Sequence, residues 1–363
     1  MLTPEPVPAA DPATRARFDL VVDVRSPSEF AEDHIPGAVN LPVLDDAERA
    51  EVGTIYVQDS PFKARRLGAA YVARNVARHL ETAFADRAGS FRPLIYCWRG
   101  GMRSNAMALI LTQVGWRAGV VQGGYRTYRR EVTQRLYDTP PAFRAVVLDG
   151  PTGSGKTEVL ARLPALGVQI LDLEALAGHR GSLLGRLPGQ DQPSQKMFES
   201  RVLAALEAID PTRPVVIEAE SSKVGERMVP PVVWQAMAAA PQIRLSASLE
   251  GRAAYLAEAY RHLGDDESVL KGLLGRLPSH PGPRQLDGWL KLAREGALAE
   301  LAAALIDQHY DPAYRRSGRK HERPRLGEAT VEALTAEGFD AAARTVARLV
   351  QGEGTGAGLA NPA

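Results

Sequence analysis

Ala145-Val146-Val147-Leu148-Asp149-Gly150-Pro151-Thr152-Gly153-Ser154-Gly155-Lys156-Thr157 is the stretch on which the reading of this 363-residue chain turns. A short apolar run ends in Gly150-x4-Gly155-Lys156-Thr157, and a helical pattern follows from Glu158 to Leu163. Strand, glycine-rich loop and helix in that order form a phosphate-binding loop: backbone N–H groups and the helix N-terminus cradle one phosphate, and a lysine reaches another oxygen. Gly150, Thr152, Gly153, Ser154, Gly155, Lys156 and Thr157 are therefore the expected phosphate or diphosphate ligands. The Thr157 hydroxyl is placed to bind Mg2+ if the ligand brings one. Hydrolysis of a nucleotide would need more: an acidic residue ending a later strand and a residue that positions water. Glu218 and Glu220 after Pro214-Val215-Val216-Ile217, and Asp172 after Val168 to Leu171, are the acidic candidates, each equally readable as a loop or cap carboxylate. No dedicated water-positioning residue or arginine finger stands out.

Further strand patterns at Val168–Asp172, Pro214–Glu218 and Ile243–Ser248 alternate with helical ones, so this half reads as a parallel, helix-covered α/β unit. After about Glu250 helical stretches are expected to replace strands, over Ala253–His262, Trp289–His309 and Val331–Val350. Toward the N-terminus a second series appears, with apolar runs at Asp19–Val24, Pro93–Tyr96 and Ala118–Val121 and a long helix expected over Phe62–Asp86. The Pro-rich join Tyr137-Asp138-Thr139-Pro140-Pro141 separates the two. The expected division is a flexible N-terminus (1–15), a first α/β domain (16–136), a linker (137–144), a phosphate-loop α/β domain (145–250), a helical C-terminal part (251–350) and a disordered tail (351–363).

Composition narrows the function classes. Hydrophobic residues at 45% and charged residues at 24% are ordinary globular usage and exclude a collagen-like, disordered or disulfide-scaffold protein. Lys+Arg at 44 against Asp+Glu at 43 leaves a net charge of +1, so contact with a polyanion must rely on local patches. A lone cysteine cannot form an internal disulfide or a thiolate metal cage. The N-terminus lacks a signal-peptide pattern, and no apolar run approaches the about 18 residues of a membrane helix. A cytoplasmic location without membrane association is expected.

Cys97 follows Leu94-Ile95-Tyr96 and opens Cys97-Trp98-Arg99-Gly100-Gly101-Met102-Arg103-Ser104, with a helical pattern from Ser104 to Val114. A thiol at such a strand-to-helix turn meets inward-pointing N–H groups, a helix dipole and two arginines, all of which favour the thiolate. Read alone, a strand-end cysteine is equally a small buried apolar residue. The Gly-Gly pair and the arginines point instead to a chalcogen-carrying or phosphate-handling nucleophile, with Arg99, Gly100, Gly101 and Arg103 as its anion ligands.

Together with Asp23-Val24-Arg25-Ser26-Pro27-Ser28-Glu29-Phe30, His34-Ile35-Pro36-Gly37-Ala38-Val39-Asn40-Leu41-Pro42 and Gly123-Gly124, this loop resembles the rhodanese homology domain, over residues 16–135. That family carries sulfur or selenium on the loop cysteine. The Cys-x5-Arg spacing is one residue longer than in ordinary sulfurtransferase rhodaneses and approaches that of rhodanese-fold phosphatases. Asp23, Arg25 and His34 read as organisers of turns rather than catalysts.

Leu171-Asp172-Leu173-Glu174-Ala175-Leu176-Ala177, His179-Arg180-Gly181-Ser182, Gln192-Pro193-Ser194-Gln195 with Phe198-Glu199, and Ile217-Glu218-Ala219-Glu220-Ser221 extend the resemblance. With the Cys97 loop and the phosphate loop they look like the tRNA 2-selenouridine synthases, over residues 16–320. The resemblance implies a bacterial transferase that replaces the sulfur of wobble 2-thiouridine with selenium. Selenophosphate is then the selenium donor, and an S-geranylated intermediate is made from geranyl diphosphate. On this reading Cys97 receives or guides selenium and the phosphate loop takes the diphosphate. Asp172, His179, Arg180, Ser182, Glu218 and Glu220 are supporting residues around the loop or a metal, with no metal ligand set firmly assigned.

The same resemblance makes tRNA bearing wobble 2-thiouridine the macromolecular partner, with a selenophosphate-supplying enzyme as a candidate second one. Selenophosphate and geranyl diphosphate are co-substrates, Mg2+ is left open, and no tightly bound cofactor is expected. The expected tRNA contact is Arg315 to Arg325, six Lys or Arg against one acidic residue in eleven, with Arg315, Arg316, Arg319 and Lys320 at its centre and Tyr310 and Tyr314 upstream as stacking platforms. Two other readings compete: a phosphate-loop ATPase or kinase with a regulatory rhodanese-like domain, and a non-catalytic module that binds tRNA or a chalcogen carrier.

Overall fold

The computed structural model describes residues 3–179, 191–219, 221–259, 261, 267–277, 281–318 and 323–352. Arg180, Ser182, Glu220, Arg319 and Lys320 lie outside the described residues, as does the tail beyond Gly352. The chain forms two compact units, one of Met1–Thr139 with Pro193–Glu207, the other of Pro140–Gln192 with Ala208–Ala363.

The first unit is built on strands β1 (Glu5–Val7), β2 (Leu20–Asp23), β3 (Val39–Asn40), β4 (Pro93–Tyr96) and β5 (Gly119–Val121), in the order β1-β5-β4-β2-β3. All neighbours are parallel. β4 is buried along its whole length, as a central parallel strand covered on both faces must be. The N-terminus, expected to be flexible, instead supplies the edge strand β1 and the helix Pro12–Arg15, capped by the Asp11 carboxylate. The long helix runs over Pro61–Glu81, and a second one, Asp46–Gln58, precedes it.

The helix Gln195–Glu207 belongs to this first unit, although its sequence lies between strands of the second. Met197, Phe198, Val202 and Leu203 are buried along it. Charges fix it: Arg129 pairs with the buried Glu199, whose other oxygen accepts from the Tyr137 hydroxyl at 2.6 Å, and Lys196 meets Glu32 at 2.6 Å. Glu207 takes both Arg15 and Arg135. The units part between Thr139 and Pro140, and the chain then returns to the first unit once more over Pro193–Glu207, which the division expected from the sequence did not include. Burial beside Glu199 pushes the Tyr137 hydroxyl up to about 12, which keeps it a donor.

The second unit carries β6 (Ala145–Asp149), β7 (Gln169–Leu171), β8 (Val215–Glu218), the short hairpin β9 (Lys223–Val224) and β10 (Arg227–Met228), then β11 (Gln242–Ser246) and β12 (Arg325–Thr330). Its main sheet is parallel throughout in the order β12-β11-β6-β8-β7. The expectation that strands cease after Glu250 is thus incorrect: Arg325–Thr330 pairs with β11 as an edge strand. The helix expected from Val331 begins only at Ala336, where the Thr335 side chain caps it. The stretch expected as one helix over Trp289–His309 breaks at Gly296, giving Pro283–Arg294, Leu298–Leu305 and a π-turn over Ile306–Tyr310.

Phe339, Ala342, Ala343, Val346, Ala347 and Val350 of the last helix pack in one apolar cluster with Val146 and Leu148 of β6 and with Val159 and Leu160 of the helix after the phosphate loop. The C-terminal helix is thus a structural wall of the loop. Truncating a buried phenylalanine removes its transfer energy and leaves a cavity, about 3–5 kcal/mol. Phe339→Ala is expected to destabilise the second unit by that amount, read as an earlier unfolding transition in urea; an unmoved transition would contradict this packing.

Candidate functional site

Each unit places one of the two glycine loops, expected from the sequence to bind anions, at the carboxyl end of a central strand, where open parallel sheets bind ligands. Cys97 follows β4, and Gly150 follows β6.

In the first unit Cys97 is free, 3% exposed and packed within the apolar core, as a small buried residue would be. Its sulfur differs from a packing atom in its donors: the Gly101 N–H at 3.3 Å and the Ser104 hydroxyl at 3.2 Å both point at Sγ. The loop is held from behind by the turn after β5, where Tyr125 N donates to Cys97 O at 2.8 Å and Arg126 N to Trp98 O at 3.1 Å. Gly124, at φ +57°, makes this approach feasible, since a Cβ there would run into the Cys97 carbonyl oxygen. The Trp98 and Tyr125 rings stack across the same junction at 5.2 Å.

The two loop arginines differ. Arg99 is exposed, whereas Arg103 is paired at 3.1 Å with Glu29, which also takes Arg49 at 2.9 Å. Burial works against the Glu29 charge, yet Arg103 and Arg49 hold its carboxyl below the ordinary glutamate range. Asp23 and Arg25 form a buried pair at 2.6 Å, with the Arg25 guanidinium over the Tyr125 ring and donating to Asp33 O. His34 holds Phe30 O through Nδ1 and stacks on the Phe30 ring. Arg25, held by Asp23, thus reaches the Cys97 loop through Tyr125, whereas His34 organises its own helix end.

In the second unit the loop closes on Gly155, which caps the following helix, Lys156–Arg162, in the left-handed region at φ +82°. A side chain there would meet the Phe339 ring. Lys156 Nζ donates to Gly150 O at 2.7 Å, so the ammonium lies across the loop it is expected to serve. The Ser154 hydroxyl is buried without a partner among the described residues.

A chain of acidic groups leads away from Thr157. Its hydroxyl donates to Glu174 Oε2 at 2.9 Å, and the Glu174 backbone N–H donates to Glu218 Oε1 at 2.8 Å. Glu218 ends β8 and is 1% exposed, with Oε2 unpartnered among the described residues. Burial pushes its carboxyl well above the ordinary glutamate range, and Asp172 and Glu174 add to the push. Asp172 caps the next helix by accepting from Ala175 N, and burial raises its carboxyl as well. His179 is buried against the turn of the β9–β10 hairpin at Gly225, close to its helix rather than on the loop. Among the described residues no three His, Cys, Asp or Glu side chains form a metal-holding group.

The basic segment opens with the helix Asp311–Gly318, on which Arg315 and Arg316 are exposed. The two tyrosines expected to stack on bases have other duties. The Tyr314 hydroxyl donates to Asp149 Oδ2 at 2.7 Å, and Tyr310 packs against the helical core beside His309.

The family model for the tRNA 2-selenouridine synthase AAA domain matches residues 143–271, and that for the rhodanese-like domain matches residues 9–131. The tRNA 2-selenouridine synthase of Hahella chejuensis is 32% identical over 323 residues, covering 81% of this chain and 84% of that one. That of Aeromonas salmonicida is 33% identical, with 84% and 88% covered. The chain belongs to the tRNA 2-selenouridine synthase family. A relative from Cupriavidus pinatubonensis is 39% identical over 64% of this chain, which spans 63% of that relative's length. As a member of this family the chain is an enzyme, a tRNA-modifying transferase.

The roles of Glu174 and Arg252, and the Asp149 contact of Tyr314, escaped sequence reasoning, since each acts through a fold contact remote in the chain. Only Glu174, one residue past the strand-end Asp172-Leu173, could have been flagged by its position.

Because Glu218 keeps its proton in the folded state to a pH above its ordinary 4.5, the native chain there binds more protons than the unfolded one, and stability falls as pH rises. Glu218→Gln is expected to flatten that decline as pH rises above the ordinary glutamate value of 4.5 in denaturant unfolding. An identical slope would mean that Glu218 is ionised in its buried place.

Proposed function

We propose that the chain converts wobble 2-thiouridine of tRNA to 2-selenouridine in two steps, each served by one loop. In the first, the thiouridine sulfur attacks C1 of geranyl diphosphate, the C–O bond breaks and diphosphate leaves, with the N3 proton lost to solvent. In the second, the selenium of selenophosphate attacks C2 and expels geranylthiolate, and water then cleaves the P–Se bond, releasing inorganic phosphate and leaving selenium on C2. The thioether makes the second step feasible, since a thiocarbonyl sulfur is a poor leaving group.

The observation that carries this reading is the pairing of two strand-end anion loops in one chain of this family, matching a reaction with two anionic co-substrates. The loop amides, Lys156 and Thr157 stabilise the departing diphosphate, a role in which preorganised donors act at the point where charge develops. Lys156 exchanges its Gly150 carbonyl for a phosphate oxygen. Thr157 and Glu174 are the oxygens that fit a Mg2+ shared with the diphosphate, which would supply further charge neutralisation. Around Cys97, the Gly100-Gly101 turn and Arg99 receive selenophosphate, with Arg103 contributing once its Glu29 partner is shared. The sulfur, fixed by Gly101 and Ser104, guides the selenium toward C2. Asp172 and Glu218 support the phosphate loop. The positive segment from Arg315, including Arg319 and Lys320, holds the tRNA backbone.

The division of labour is testable by separating the steps. Lys156→Ala is expected to lower geranylation of 2-thiouridine tRNA by about 100-fold or more, while still converting pre-geranylated tRNA to selenouridine. Cys97→Ser is expected to do the reverse. Nucleoside mass spectrometry reads both, and a Lys156→Ala enzyme with normal geranylation, or a Cys97→Ser enzyme with normal selenation, would overturn the corresponding assignment.

A further inference from the structure

A loop whose N–H groups point at an anion must turn its carbonyl groups the other way, and those carbonyls need donors of their own. In the second unit the donor for Thr152 O is the Nε of Arg252, at 2.9 Å. Arg252 lies on the helix Leu249–Ala259 and is only 4% exposed. A buried guanidinium is kept only when its remaining hydrogens are paired. Both forks go to one carboxylate, Nη1 to Asp311 Oδ2 at 3.1 Å and Nη2 to Asp311 Oδ1 at 2.6 Å, the bidentate form that adds geometric specificity.

Asp311 opens the helix Asp311–Gly318. One turn later on the same face Tyr314 donates to Asp149 Oδ2 at 2.7 Å, and Asp149 is the residue immediately before Gly150. One helix thus grips the phosphate loop twice, directly at its entry and through Arg252 in its middle. The next two residues on that helix, Arg315 and Arg316, are exposed.

We propose that Arg252, Asp311 and Tyr314 are positioning residues that tie the basic helix to the phosphate loop, so that tRNA on the helix and diphosphate in the loop each strengthen the binding of the other. This rests on the reading of those two sites given above. tRNA held by Arg315 and Arg316 favours the docked position of the helix; the docked helix keeps the Thr152 carbonyl turned outward and the loop amides inward. The linkage is reciprocal by thermodynamic necessity. Its sign separates it from simple electrostatics, because two polyanions acting through charge alone would weaken one another. It also gives the enzyme order, with the alkylating diphosphate held best when its nucleophile is in place.

The test uses the full-length protein, inorganic pyrophosphate, and a tRNA transcript without 2-thiouridine so that no chemistry intervenes. Pyrophosphate is titrated calorimetrically with and without saturating tRNA at fixed ionic strength. The wild type is expected to bind pyrophosphate about fivefold or more tightly in the presence of tRNA. In Tyr314→Phe, which keeps the ring, and in Asp311→Asn, that ratio is expected to fall to within about twofold of unity. The converse titration of tRNA with and without pyrophosphate is expected to show the same loss. A purely structural role would weaken both arms of each variant and leave the ratio at its wild-type value, which would overturn the proposal. A wild-type ratio at or below unity, with both ligands binding, would overturn the linkage alone. Failure of the wild type to bind pyrophosphate or tRNA would overturn the site assignments and the linkage with them.

Discussion

In a parallel sheet every strand ends on the same edge, and the backbone N–H groups that open the following helix have no partner within it. Both halves of this chain place their chemistry at that edge. The turn after β4 directs the Gly101 N–H at a thiol, and the turn after β6 forms a loop closed by the left-handed Gly155. The demand common to both is that carbonyls be turned outward and held there. Tyr125 and Arg126 N–H groups hold those of Cys97 and Trp98, and Arg252 holds that of Thr152. Much of the buried polar structure follows from this demand: the Asp23–Arg25 pair beneath Tyr125, the Arg252–Asp311 fork and the Tyr314–Asp149 bond.

The passage of the chain back to its first unit is the second organising feature. Gln195–Glu207 is fixed there by apolar residues on one side and by Arg129, Lys196, Arg15 and Arg135 pairs on the other. Buried charges such as Glu199 are costly unless fully paired, and here one carboxylate takes Arg129, the Tyr137 hydroxyl and the Gln195 amide. The result is a two-unit enzyme whose chain crosses between units more than once.

The central strands and both loops were legible in the sequence because they rest on short-range rules. β4 and β6 are apolar runs with a glycine turn directly behind them, and Gly150 to Thr157 has a spacing that few other structures require. The edge strands were not. Glu5–Val7 contains a proline and spans three residues, and Arg325–Thr330 is half polar with one fully buried position, so each is a strand only because β5 or β11 offers a free edge. Likewise the place of Gln195–Glu207 in the first unit was not legible, because its partners are charges and a hydroxyl more than sixty residues away. Around the phosphate loop, Lys156 and Thr157 follow from the motif, while Arg252 and Tyr314 come from two helices distant in the chain. The Tyr314 hydroxyl likewise answers to Asp149, a contact its place upstream of the basic segment does not announce.

The proposed function requires one enzyme to perform alkylation and then selenium exchange on the same nucleotide. The direct measurement is a time course of the wild-type protein with 2-thiouridine tRNA and geranyl diphosphate, with and without selenophosphate, followed by mass spectrometry of the nucleosides. Without selenophosphate the S-geranyl nucleoside is expected to accumulate; with it, that species is expected to rise and then give way to 2-selenouridine. Selenouridine formed at full rate in the absence of geranyl diphosphate would contradict the account.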